Sequence, residues 1–256
     1  MIATHVGGPT TLLEIGGWRL LTDPTFDPAG RHYDFGWGTS SDKVVGPAVA
    51  AQDLPPLDAV LLTHDQHGDN LDAAGRALLP TVPQVLTTRS AARRLGVTGA
   101  RGLRPGASVM LQEPGREPLE VTATPARHGP PLTRPIVGDV VGFLLRCAGT
   151  TVLVTGDTVL HRRLRRALRD VNVDVMVIHV GGVRFRLTGP IRYTLTGAEA
   201  VDLVRLVRPR VAVPVHYEGW THFADGPAGL NRALNAAAGD VRAGIRRLPI
   251  GIRTEL

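Results

Sequence analysis

At 256 residues the chain is long enough to bury a full core as one domain, residues 1–256. It contains no run of about 18 consecutive apolar residues, so no membrane span is expected. Its formal charge of +6 is almost wholly arginine, since Lys43 is the only lysine, and such a balance favours anionic partners. Its single cysteine, Cys147, excludes an internal disulfide and is read as a small buried hydrophobe. Met1-Ile2-Ala3-Thr4-His5 has neither a basic start nor an apolar signal core, so the expected location is the cytoplasm.

The β-like runs Thr10 to Ile15 and Trp18 to Thr22 are joined by Gly16-Gly17, a hairpin signal. Asp23-Pro24 then stops the strand. The Gly- and Pro-bearing stretch from there to Pro56 is weakly patterned. It holds His32, Tyr33, Phe35 and Trp37, which suits an ordered loop over a site. The apolar run Asp58 to Leu62 reads as a buried strand, Leu71 to Leu79 as a helix and Gln84 to Thr87 as a strand. Ser90 to Leu95 reads as a short helix ended by Gly96. Ser108 to Gln112 and Leu119 to Ala123 read as strands, the second leading into Thr124-Pro125-Ala126-Arg127-His128, a rigid turn that exposes a histidine.

Val140 to Cys147 and Thr151 to Val154 form a further hairpin. The second strand ends in Thr155-Gly156-Asp157-Thr158. From His161 to Arg169 the spacing of Leu164 and Leu168 predicts a helix with one apolar edge and an arginine face. That face is read as solvated, because no aromatic residues interleave for base stacking. Val173 to Ile178 is a buried strand followed by His179. Thr196 and Glu199 have capping-box spacing and open a helix to Val207. Val211 to Val215 is a strand ending in His216, a last helix spans about Gly229 to Ala238, and a terminal strand is expected near Ile245 to Pro249. Hairpins together with helix-separated strands predict an α/β fold of two mixed sheets with helices on their outer faces, a four-layer α/β/β/α sandwich.

The strand Asp58 to Leu62 ends in Thr63-His64-Asp65-Gln66-His67-Gly68-Asp69-Asn70. His64, Asp65, His67 and Asp69 crowd four ligand types into six residues at a strand-to-helix turn, where layered α/β folds carry their sites. A helix cap at Asp69 or Asn70 would account for one of these residues, not all of them. His128, Asp157 and His216 end other strands in the same way. Imidazole and carboxylate without thiolate suit zinc, with manganese or iron as alternatives, in one or two ions. Two such ions hold a hydroxide between them and clamp an ester or phosphoryl oxygen. His5, His32 and His161 are read as structural.

These residues also carry a resemblance. Thr63 through Asp69 resembles the signature T-H-x-H-x-D-H of the metallo-β-lactamase superfamily. Leu21-Thr22-Asp23-Pro24, Thr124-Pro125-Ala126-Arg127-His128, Thr155-Gly156-Asp157-Thr158 and Pro214-Val215-His216-Tyr217 resemble, in order, blocks of one group within it. That group surrounds L-ascorbate-6-phosphate lactonase and N-acyl-phosphatidylethanolamine phospholipase D. The resemblance implies the α/β/β/α fold, with His128 on a first metal, Asp157 bridging and His216 on a second. His64, His67 and Asp69 complete the implied ligand set. Anchoring the motif at both ends requires one inserted residue between His64 and His67. Asn70 then stands where the final histidine belongs, so weak occupancy of the second position, or a harder ion there, is expected.

The activity implied is metal-dependent hydrolysis of a phosphodiester, lactone or other ester by metal-bound hydroxide. Asp69 and Asp157 serve at the metals, and Glu218 or His222 in proton transfer. The substrate is a small molecule, anionic in one version; no nucleic acid is expected, and self-association is left open. The alternative is a single-metal or non-catalytic binding protein that keeps the fold but has lost a ligand.

Overall fold

The computed structural model describes residues 1–131 and 133–256. Strands β1 (Ile2–Gly7), β2 (Thr10–Ile15) and β3 (Trp18–Thr22) form an antiparallel meander. The glycine pair turns as expected: Gly16 and Gly17 have φ of 55° and 85°, which a two-residue hairpin demands and a side chain would resist. The long segment after Asp23 carries a separate small hairpin, β4 (His32–Gly36) with β5 (Thr39–Asp42). It is anchored by Lys43, which is 3% exposed and places Nζ 2.9 Å from Asp72 Oδ2.

Strands β6 (Ala59–Leu61), β7 (Gln84–Thr88) and β8 (Ala100–Leu103) extend the first sheet in parallel. The crossovers between them hold helices α1 (Ala73–Leu78) and α2 (Arg89–Leu95). The second sheet begins with the antiparallel strands β9 (Ser108–Leu111), β10 (Leu119–Pro125), β11 (Val141–Cys147) and β12 (Thr150–Val154). The short helix α3 (Arg134–Val137) lies between β10 and β11. Helices α4 (Arg162–Leu168) and α5 (Gly197–Val207) then lead to the parallel strands β13 (Val175–His179) and β14 (Val211–Val215). Helices α6 (Gly226–Ala236) and α7 (Gly239–Ala243) precede β15 (Arg253–Glu255), which pairs with β1. The sheet orders are β15-β1-β2-β3-β6-β7-β8 and β14-β13-β12-β11-β10-β9.

Alternation along the strands makes the layers. Phe143 and Leu145 of β11, with Val152 and Val154 of β12, face a central core against Leu13, Leu20 and Leu61 of the first sheet. Their neighbours Leu144 and Leu153 face outward onto Leu164 and Leu168 of α4 and Leu203 of α5. Leu12, Leu21, Val60 and Val85 of the first sheet turn the other way, against Leu71 and Leu79. Each fully buried side chain of this kind contributes roughly 1.5–3 kcal/mol by leaving water. The four-layer expectation therefore holds. Among the described residues, no helix is long and apolar enough to cross a membrane.

The structure departs from the sequence reading in a few elements. Strands β1 and β8 carry weak patterns, with Gly7 in one and Arg101-Gly102 in the other, and were not anticipated. The terminal strand is Arg253–Glu255 instead of Ile245 to Pro249, where Ile245 makes only a single bridge to Ala212. Pro249 interrupts a ladder there, and Gly251, at φ 76°, turns the chain back toward β1. The capping box of α5 is present in full at Thr196 and Glu199. Helix α1 is capped by Asp72, not by Asp69 or Asn70. Capping therefore accounts for none of the ligand types between His64 and Asp69.

Candidate metal centre

The strand ends meet at one buried floor. Just past β6, the Thr63 N–H donates to Asp23 Oδ1 at 2.7 Å and its hydroxyl to Asp23 Oδ2 at 3.0 Å, which anchors the loop carrying His64. Asp23 sits at φ 33° and His216 at φ 57°, a left-handed conformation that costs a non-glycine residue of order 1–3 kcal/mol. At His216 that turn, just past β14, aims the ring at the floor. Gly156, at φ 63°, leaves the end of β12 close to the loop: a Cβ there would lie 3.0 Å from Thr63 Cβ. Asp157 follows it and is fully buried.

Two ligand groups result: His64, His67 and His128, and Asp69, Asp157 and His216. In the first, His67 Nδ1 lies 3.2 Å from His64 Nε2 and 3.1 Å from His128 Nε2. The far nitrogens of two rings are held from outside, His128 Nδ1 by the Tyr193 carbonyl at 2.8 Å and His64 Nδ1 by the Thr63 hydroxyl at 3.1 Å. Such outer contacts fix the ring and its tautomer. Behind Thr63, His179 Nε2 stands 3.2 Å from Asp23 Oδ2. In the second group, His216 lies between two carboxylates, its Nε2 3.2 Å from Asp69 Oδ2 and its Nδ1 2.9 Å from Asp157 Oδ1.

The two groups differ in charge. Burial, with His67 and His128 close by, pushes His64 far below the ordinary histidine range, and burial with His128 brings His67 down to about 4. His64 and His67 are therefore neutral at physiological pH. Burial opposes charge on His216 too, but Asp157 and Asp69 outweigh it and push its pKa up to about 10. Burial would raise Asp69, yet His216 and His222 hold it well below the usual carboxylate range.

These donors fit a metal. Three imidazole nitrogens turned toward one another, without N–H groups enough to join them, suit a cation that accepts all three lone pairs. Both oxygens of Asp157, Oδ1 of Asp69 and both side-chain polar atoms of Asn70 are buried without an aligned hydrogen-bond partner. Burying unpartnered carboxylate oxygens is costly, and a cation removes that cost.

Not every residue singled out in the sequence reaches the floor. Asp65 turns away to a bidentate pair with Arg94, whose Nε is 3.0 Å from Asp65 Oδ2. His64 and His67, on either side of Asp65 and Gln66, both face inward. Glu218 lines a different and smaller cavity with Lys43, Val45 and Trp220. His222 does arrive: its Nε2 lies 2.9 Å from Asp69 Oδ2, and its Nδ1 contacts Ser41 Oγ. The outer residues Ser41, His179 and Tyr193 were not singled out as site residues, and only the position of His179 at a strand end could have signalled one of them. Of the histidines read as structural, His5 contacts the Gly8 carbonyl at 3.0 Å and His32 pairs with Asp42 at 2.7 Å on the surface.

Above the floor, a cavity of about 130 Å³ is lined by Phe35, Trp37, Phe185 and Tyr193, with His67, Asp69, His128 and His222 at its base. The β4–β5 hairpin thus forms one wall, and the Phe35 ring centroid is 5.4 Å from those of both His67 and His222.

The sequence profile described as "Beta-lactamase superfamily domain" matches residues 18–217. A curated relative from Caldivirga maquilingensis, named UPF0173 metal-dependent hydrolase, is 26% identical over 234 residues, covering 90% of this chain and 88% of the relative. Among solved structures, the isothiocyanate hydrolase from Delia radicum gut bacteria superposes with a TM-score of 0.79 at 20% identity, over 100% of this chain and 99% of that one. A metallo hydrolase from the archaeon Ignicoccus hospitalis superposes with a TM-score of 0.71 at 20% identity, over 99% and 97% of the two chains. At such identities, the solved structures speak for the fold.

Proposed function

The chain belongs to the β-lactamase superfamily domain family, and from that premise we propose that it is a metal-dependent hydrolase of a small ester-type substrate. The observation that carries this reading is the pair of buried ligand groups, one of three imidazoles and one of two carboxylates and an imidazole, at the base of a cavity. Cations held there would activate a water and polarise the scissile group. His64, His67 and His128 would hold one ion and Asp69, Asp157 and His216 another, with Asp157 as the carboxylate that would serve both. His222 takes over from the imidazole that Asn70 lacks: it holds Asp69 in place from one ring nitrogen while Ser41 fixes the other. Glu218 has no role in this scheme. Phe35, Trp37 and Phe185 exclude water from the reacting group and seat an apolar part of the substrate. The ordered blocks shared with the lactonase and phospholipase D group favour a lactone, phosphodiester or other ester, and zinc is the proposed metal.

Asn70 favours a second reading, a protein with one tightly held ion that binds without turnover. Metal analysis of protein purified without chelator, paired with a panel of lactones, carboxylic esters and phosphodiesters, separates the two. Two equivalents of metal and turnover of one substrate class, both lost with chelator, are expected. One equivalent without turnover across the panel overturns the hydrolase reading.

A further inference from the structure

A second cavity, of about 620 Å³, opens on the other side of His128 and Val137, which line both. Its volume lies within the range of about 300–1,000 Å³ of small-molecule sites. Five segments bring arginines to it: Arg89 and Arg93 of α2, Arg104 after β8, Arg127 after β10, Arg134 of α3, and Arg162 and Arg163 of α4. The arginine face of α4 is exposed, as the sequence suggested, and Arg162 and Arg163 on it also line this cavity. Asp139 is the one acidic residue among the described residues of the lining, and it is engaged by Arg134 and Ser90. Among the described residues, no carboxylate pairs with Arg89, Arg93, Arg104, Arg162 or Arg163. Guanidinium groups collected around one concavity focus a positive field into it.

His161 provides an independent sign that the cavity is built for a ligand. It is 8% exposed and lines the cavity, and its Nδ1 accepts the Leu164 N–H as the cap of α4. Burial, with Arg127 and Arg163 nearby, brings its pKa down to about 4, so the ring is neutral. The one proton of a neutral ring whose Nδ1 is an acceptor must sit on Nε2. That Nε2 is buried with no partner. A donor of this kind among guanidiniums calls for an anion.

We propose that the cavity binds a small anion bearing phosphoryl groups, held by Arg104, Arg162, Arg163 and the Nε2–H of His161. Guanidinium forks match phosphoryl oxygens bidentately. No Phe, Tyr or Trp is among the described lining residues, so there is no platform for stacked bases, and the ligand is a small molecule instead of a nucleic acid strand. That this anion is part of the substrate, reaching past His128 to the metal floor, rests on the hydrolase reading; the binding itself does not.

Isothermal titration calorimetry with inorganic pyrophosphate, on the full chain with its metal, tests the site. Exchanging Arg104→Ser together with Arg162→Ser should weaken binding at least about tenfold, since each exchange removes a charge-assisted hydrogen bond. The control pair Arg165→Ser and Arg166→Ser, on the same helix but outside the lining, should change it less than about twofold. His161→Asn keeps an acceptor for the helix cap and should still weaken binding by about fivefold or more. No measurable pyrophosphate binding, or equal losses in the two arginine pairs, overturns the proposal. So does a single-stranded oligonucleotide that binds tenfold tighter than pyrophosphate. Because no turnover is read, the result stands whether or not the metal floor hydrolyses anything.

Discussion

The two ligand groups share one floor but would hold a cation by different means. His64, His67 and His128 offer imidazole lone pairs, with His64 and His128 kept in position by Thr63 and the Tyr193 carbonyl. Asp69, Asp157 and His216 bring two carboxylates, braced by His222, with the amide of Asn70 buried close by in sequence. Borderline ions such as zinc prefer the first kind of site, and harder ions tolerate the second. The contrast teaches how charge can substitute for donor strength: with Asn70 in place of an imidazole, two carboxylates would keep the second position able to hold a cation while shifting its preference toward harder ions.

Four substitutions test the contrast. Asp157→Ala removes the carboxylate that both ions would share and should cost the most. Its metal affinity and any hydrolysis should fall by more than about 100-fold, since losing even an outer contact typically costs 10–100-fold. Chelator-competition titration checks this, and full metal content in the variant would reduce Asp157 to a structural carboxylate. His222→Ala should weaken the second ion by roughly 10–100-fold while leaving the first within about twofold. Loss of both ions together would mean that the two groups do not act separately. Thr63→Val preserves shape but removes the hydroxyl that holds His64, and should weaken the first ion by about tenfold. Cobalt substitution, read by visible absorption, reports which position has changed. Asn70→His makes the smallest change: a gain at the second position of roughly threefold in zinc affinity, under 1 kcal/mol. No gain would show that the backbone points position 70 away from the ion.

The positions of His64, His67, His128, Asp157 and His216 were legible because each comes after a short apolar run, and a strand delivers the residues just past its end to the rim of a sheet. Glu218 and Asp65 illustrate the limit of that reasoning. Both lie within two residues of a histidine that reaches the floor, yet one lines another cavity and the other pairs with Arg94. Which way a loop side chain turns is set by contacts from elsewhere, and adjacency in sequence does not report it. The arginine-lined cavity was not legible for a related reason: α4 supplies only Arg162 and Arg163 of its exposed arginine face, and the cavity is completed by residues of α2, β8 and β10 that no local pattern connects to it.

By itself the sequence determined the layers, the hairpin turns, the capping box of α5 and the ligand types, all of which depend on spacing within a few residues. The tertiary structure alone decided that His222 joins Asp69 across 153 residues, that Asp72 and Lys43 anchor the loop over the site, and that scattered arginines surround one cavity. Strand and helix periods are local consequences of backbone geometry, whereas partners so far apart in the chain are chosen by how the two sheets pack.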